Sequence, residues 1–109
     1  MKSYKIYIIE EAENDLVDIY NYISIHDSNR KAEQVIDKLE KACLLLETFP
    51  HRGRIVPELK KIHITTFYEI IHKPFRIIYQ VIDNRIYIHA VLDSRRDPDE
   101  LLYNRLIRA

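Results

Sequence analysis

Two tight-turn signals inside one β-rich stretch constrain this chain more than any other feature. Residues 68–92 are dominated by Ile, Val, Tyr and Phe, interrupted only by Lys73-Pro74 and Asp83-Asn84. A two-residue interruption is the length of the commonest β-hairpin loop, and Asn tolerates the positive φ that such loops need. The register then follows by counting outward from each turn. It pairs Val81 with Ile86, Tyr79 with Ile88, Ile77 with Ala90 and Phe75 with Leu92, and it pairs Ile70 with Ile77 and Tyr68 with Tyr79. Side chains alternate along a strand, so all of these fall on one face, which is the expected core side of three antiparallel strands. The opposite face receives Glu69, Arg76, Gln80, Arg85, Tyr87 and His89.

An apolar sheet face must be covered by a second layer. The N-terminal half supplies one. Residues 4–9 read as a strand, after which the apolar period changes from two to between three and four. Ala12, Leu16, Ile19 and Ile23 form one helical stripe. Ala32, Val35, Ile36, Leu39, Cys43 and Leu46 form another, and Pro50 and Gly53 stop it. Asp27 or Ser28 can cap the second helix, and a connection this short makes an antiparallel helical hairpin. Asp97-Pro98 opens a short C-terminal helix with Leu101, Leu102, Leu106 and Ile107 on its apolar side. The expected fold is α+β, with an N-terminal strand, the helical hairpin, an antiparallel sheet of three or more further strands and the C-terminal helix.

Composition narrows the setting. The 109 residues read as one domain spanning residues 1–109, and 47% hydrophobic residues suffice for a core without staples. Cys43 is the only cysteine, so no internal disulfide can form and no multi-cysteine zinc site is possible. No stretch has the length or apolarity of a signal peptide or a membrane span, and a cytoplasmic protein without membrane contact is expected. The formal net charge of zero hides an asymmetry. Residues 1–50 hold six Lys/Arg against ten Asp/Glu, and residues 51–109 hold eleven against seven. The C-terminal half can therefore present a basic face, unless the two halves neutralise each other across the fold.

Three segments in order then carry a resemblance. Phe49-Pro50-His51-Arg52-Gly53-Arg54-Ile55-Val56-Pro57-Glu58-Leu59, the strand Pro74-Phe75-Arg76-Ile77-Ile78-Tyr79-Gln80-Val81, and Val91-Leu92-Asp93-Ser94-Arg95-Arg96-Asp97-Pro98 follow a helical hairpin. With this order and spacing, the chain resembles the RelE/ParE toxin family across essentially its whole length. The resemblance implies the toxin of a type II toxin–antitoxin system, held inactive by a cognate antitoxin and inhibiting growth when free. Operator DNA would be reached only indirectly, through the antitoxin.

The family implies two targets. RelE-like members cut messenger RNA on the ribosome, and ParE-like members act on DNA gyrase. Arg76 matches the strand arginine that the ribonuclease branch sets on the scissile phosphate, a task suited to a planar guanidinium. Glu58 resembles the general base of one ribonuclease subgroup. Against this reading, the register places Glu69 diagonally beside Arg76, where it can form a structural ion pair. A solvated loop glutamate is the plainer role for Glu58, and Asp93 stands where many ribonuclease members have histidine. ParE-like gyrase inhibition is therefore placed first and a ribosome-dependent ribonuclease second. A degenerate, non-toxic antitoxin-binding protein is third.

The remaining candidates concern binding. Arg95 and Arg96 can meet an acidic antitoxin segment or pair with Asp97 and Asp99, both ranked above holding a phosphate, and Val91 offers an apolar anchor at the sheet's end. Tyr87 lies on the exposed sheet face beside Arg85. Without a histidine at position 93 the ribonuclease general acid is missing unless His89 or Tyr103 substitutes for it, and His89 otherwise joins Tyr87 as a binding residue. The five histidines lack metal-site spacing, so no metal and no cofactor is expected. Cys43, in a helical stripe, reads as a small buried apolar residue.

Overall fold

The computed structural model describes residues 3–95 and 98–107. Strand β1 (Lys5–Ile8) leads into helix α1 (Glu10–His26). Helix α2 (Asn29–Leu44) begins at Ser28, whose hydroxyl accepts the Lys31 N–H at 3.0 Å, and it tightens at its end into a 3₁₀ turn (Leu45–Glu47). Then come β2 (Arg54–Ile55), a short helix α3 (Pro57–Lys60), β3 (Tyr68–His72), β4 (Phe75–Ile82), β5 (Arg85–Asp93) and α4 (Pro98–Leu102). A wide π-type turn (Tyr103–Ile107) continues α4. The expected Asp97 start of this helix lies outside the described residues, as does Arg96.

The five strands form one sheet in the order β1-β5-β4-β3-β2. β1 runs parallel to β5, and the other pairs are antiparallel. Helices α1 and α2 cover one face. Their stripes meet Ile70, Phe75, Ile77, Tyr79, Ile86 and Ile88 in the main core, which buries Ala12, Leu39, Cys43 and Leu46. Burial, with nearby Glu40, pushes the Cys43 thiol up to about 11.

Both expected turns form, and the register holds on each side of Lys73-Pro74. At the other turn it is Asp83 that adopts positive φ (57°). Counting back from that turn, Val81 pairs with Ile86 and Tyr79 with Ile88, as expected, but the ladder then slips by one residue. His89 is the unpaired residue of the bulge. Beyond it Ile77 pairs with Val91 and Phe75 with Asp93, instead of Ala90 and Leu92. The reason lies in Ala90-Val91-Leu92, three apolar residues in succession. Alternation that would make a one-residue slip costly is missing there.

The slip has two consequences. Val91 is 3% exposed in the main core, so it is no surface anchor. Ala90 and Leu92 turn to the opposite face, where with Ile78 they meet Val56, Leu59 and Leu102 in a second core. The face expected to be polar is thus half covered, by α3 and by α4 with its following turn.

The two layers are tied by polar groups. The Tyr79 hydroxyl donates to the Pro50 carbonyl and accepts the Gly53 N–H, both at 3.0 Å. Gly53 is required by this close approach, since a Cβ there would lie 2.5 Å from the Glu69 carbonyl oxygen and 2.6 Å from the Tyr79 hydroxyl. Tyr79→Phe should cost about 1–3 kcal/mol by leaving both backbone groups without their partner. Urea denaturation would check this, and an unchanged midpoint would contradict it.

β1 stops at Ile8 while β5 runs on past its partner Ile88, so the backbone beyond needs other partners. Asp15 of α1 accepts the Val91 N–H at 2.9 Å. Arg105, from the turn after α4, clasps Asp15 with two bonds of 2.9 and 3.0 Å and donates to the His89 carbonyl at 2.9 Å. A further ion pair of 2.8 Å joins Arg105 to Glu11. The C-terminal turn is thereby fastened to the first helix.

Candidate functional site

The polar residues singled out from the sequence fall in three places. The first is the sheet face beneath α3. Arg76, on β4, donates through Nε to Glu69 Oε1 at 2.7 Å. Its Nη1 and Nη2 make a two-pronged contact with Glu58 at 2.8 and 2.7 Å. Glu69 also accepts from Arg54 Nε at 2.8 Å. The four charges form an alternating chain, Arg54–Glu69–Arg76–Glu58. Pro57 opens α3 at a position where its missing N–H costs nothing, and this short helix swings Glu58 over the sheet.

Arg76 is 6% exposed and Glu69 1%. Hydrogen bonds to Glu58, working against burial and reinforced by Glu69, raise the Arg76 pKa further and keep it charged. The Arg76 bonds hold the Glu58 carboxyl below its usual range despite partial burial. Arg76 and Glu58 are thus brought together, but each occupies the groups the other would need for chemistry. A phosphate could reach Arg76 only by displacing a carboxylate. Glu58 is in a helix and paired, unlike the solvated loop position expected for it.

The depressed Glu58 pKa has a stability consequence with a definite sign. Its contribution is fully present above the ordinary value of 4.5 and is lost as pH falls through the lower folded-state value. Glu58→Gln should therefore flatten the acid limb of the stability profile. Denaturant midpoints between about pH 3 and 7 would show this, and parallel profiles for both proteins would contradict it.

The second place is a groove of about 790 Å³ between the helical hairpin and the end of the sheet. Ile19, Tyr22, Ile23, Val35 and Phe75 give it an apolar floor, and Lys31 and Arg95 stand among its charged walls. Tyr22 stacks on His26 one turn later, with ring centroids 4.1 Å apart. Arg95 is exposed and turned back onto Asp93, with Nη2–Oδ2 at 2.6 Å and Nε–Oδ1 at 2.9 Å. Its partner is Asp93, and the expected pairing of Arg95 and Arg96 with Asp97 and Asp99 falls partly outside the described residues. Tyr22 was not singled out from the sequence, and His26 was weighed there only as a histidine without metal-site spacing. Their spacing of one helical turn was the available signal.

The third place is the outer face of the sheet near β1. Tyr87 stacks on Tyr7 of the parallel neighbour at 5.4 Å. His89 Nε2 meets Gln80 Oε1 at 2.8 Å, and its ring sets against Phe67 edge to face at 5.3 Å. Burial lowers the His89 pKa, opposed by Glu11 and aided by Arg105. Tyr87 and His89 are therefore neighbours on one face, whereas Arg95 lies beyond the far end of β5 on the helical side. They do not form one site.

A mixed five-stranded sheet with a helical hairpin on one face and short helices on the other is the α+β fold of RelE/ParE-type toxins. A solved structure of the chromosomal ParDE toxin–antitoxin system from P. aeruginosa superposes with a TM-score of 0.72 at 16% identity, covering 85% of this chain and 98% of that one. The RelBE2 toxin–antitoxin complex of Mycobacterium tuberculosis gives 0.61 at 14% identity, covering 84% of this chain and 98% of that one. At such identities the likeness is one of fold. No curated protein matches the sequence. The family model for the ParE toxin of the parDE type II toxin–antitoxin system matches residues 6–98. The chain belongs to the ParE toxin family.

Proposed function

We propose that this chain is a ParE-like toxin, neutralised by a cognate antitoxin and, when free, arresting growth by binding DNA gyrase. The observation that carries the choice of target is the pairing of Arg76. Its guanidinium already serves two carboxylates through Nε, Nη1 and Nη2, an arrangement that builds structure and that a phosphate would have to displace. Asp93, paired with Arg95, stands where a ribonuclease would set a general acid. The antitoxin partner is supported by family membership and by the two similar structures, both from toxin–antitoxin systems.

The groove between hairpin and sheet end is the proposed antitoxin seat. An amphipathic segment would bury apolar anchors against Ile19, Ile23 and Phe75, with acidic residues near Arg95 in the groove wall and toward Arg96, which follows it in sequence. Reversing both arginines to glutamate should weaken the complex and reduce its salt dependence, as titration calorimetry at two salt concentrations would register. Unchanged affinity at low salt would contradict this placement.

One observation favours the second reading, a ribosome-dependent ribonuclease: the two residues it needs, Arg76 and Glu58, are in contact. The experiment that decides is induction of the toxin alone, followed by mapping of message ends and a gyrase supercoiling assay on purified protein. Inhibited supercoiling with intact message is expected. New message ends within minutes, abolished by Glu58→Gln, would establish the ribonuclease instead.

A further inference from the structure

The outer face of the sheet is only half covered, and its open half has the chemistry of a binding surface. α3, α4 and the C-terminal turn lie over Ile78, Ala90 and Leu92. The strip along β1, the start of β5 and the end of β4 carries Lys5, Tyr7, Arg85, Tyr87 and Ile82 on one side, as the register dictates. Tyr7 is 42% exposed and Ile82 48%. The Tyr7–Tyr87 stack holds two rings in one orientation, so little side-chain entropy remains to be lost on binding.

The charges at this strip are unbalanced. Lys5 and Arg85 stand directly opposite each other in the parallel ladder, a like-charge neighbour pair that costs stability. Both are exposed, and neither forms an ion pair among the described residues. Arg85 is hydrogen-bonded to the Tyr87 hydroxyl, which carries no charge at neutral pH, and Asp83 in the adjacent turn is felt by it more weakly. Arg54, Arg76, Arg95 and Arg105, by contrast, each hold a carboxylate, so their charge is already spent within the fold. An incoming carboxylate would relieve the Lys5–Arg85 repulsion while its apolar surroundings covered Tyr7 and Ile82. Two cations beside an apolar centre suit a protein better than a nucleic acid, whose binding scales with the number of phosphates neutralised. Tyr and Arg are also the residues in which binding energy concentrates at protein interfaces.

We infer that this strip, Lys5, Tyr7, Ile82, Arg85 and Tyr87, is the surface by which the toxin grips its protein target, through an acidic patch with an apolar centre. The inference rests on the gyrase reading above and adds where the contact is made. It lies on the face opposite the antitoxin groove, so the two contacts use separate side chains.

The test measures binding of full-length toxin to purified gyrase by surface plasmon resonance. Wild type is compared with Arg85→Glu, Tyr7→Ser and, as a charge-matched control, Arg30→Glu on the exposed side of α2. Thermal melts confirm that each variant folds. Arg85→Glu and Tyr7→Ser should each weaken binding about tenfold or more, as interface anchors do, while Arg30→Glu binds like wild type. Binding of wild type should weaken with salt, and that of Arg85→Glu should do so less. Wild type and both strip variants binding alike would overturn the surface and leave the gyrase reading intact. No binding by wild type would sink that reading and the inference with it. Loss of single-stranded DNA binding or of self-association in the strip variants, with gyrase binding unchanged, would assign the strip to a nucleic acid or to a second copy, and overturn the inference.

Discussion

Arg76→Ala is expected to destabilise the protein by about 3–5 kcal/mol, the cost of removing one partner from a buried ion pair. The cost falls mainly on Glu69, whose side chain has no exposed surface and would keep only Arg54, itself largely in solvent. Glu58, at the rim, can turn to water. The variant would therefore lose activity through loss of fold, whichever target the toxin has. A paired substitution separates the causes. Replacing Arg76 and Glu69 together by methionine removes both buried charges and keeps the volume, a change that is often neutral for stability. On the structural role proposed for Arg76, Arg76→Ala should shift the urea midpoint sharply, and the double variant should recover both the midpoint and growth arrest. A folded double variant without growth arrest would show that Arg76 acts directly on the target.

The second large effect is expected from Ile77→Ala, at about 2–5 kcal/mol. Ile77 has no exposed surface and stands between Ile70 and Val91 on the face beneath the helical hairpin. Ile77 sits on the central strand, hydrogen-bonded to β3 and β5, and its neighbours cannot readily collapse to fill the space, so the upper part of the range is expected. Arg85→Ala, on the exposed strip, should change stability by less than about 0.5 kcal/mol. Equilibrium denaturation of both variants checks the face assignment. A mild Ile77→Ala combined with a severe Arg85→Ala would mean that the faces are reversed.

These two positions also mark where local reasoning succeeded and where it stopped. Tyr68, Ile70, Ile77, Tyr79, Ile86 and Ile88 were legible as core because a two-residue turn and strict alternation leave one choice of face. The helical stripes and the Ser28 cap were legible for the same kind of reason, since period and cap chemistry act within a few residues. The slip at His89 was not. Nothing in Ala90-Val91-Leu92 distinguishes one register from the next, and the bulge is held by Asp15 and Arg105, far away in the chain.

The candidate site divides along the same line. Residue type and spacing placed Arg76 and Glu69 on one face, and with the family resemblance they marked Glu58, Arg95, Tyr87 and His89 as the side chains to watch. Sequence could not show that α3 would bring Glu58 onto Arg76, that Arg95 would fold back on Asp93, or that Tyr7 would come beside Tyr87 through a parallel pairing. Each of these contacts joins segments whose separation is decided by packing. Sequence by itself determined the main core, because that rests on local periods and turns, and it pointed to the family through three segments that resemble it in order and spacing. Only the tertiary structure decided which charges are spent on the fold and which remain open to a partner, because a charge is neutralised by whatever the fold sets within a few ångströms of it.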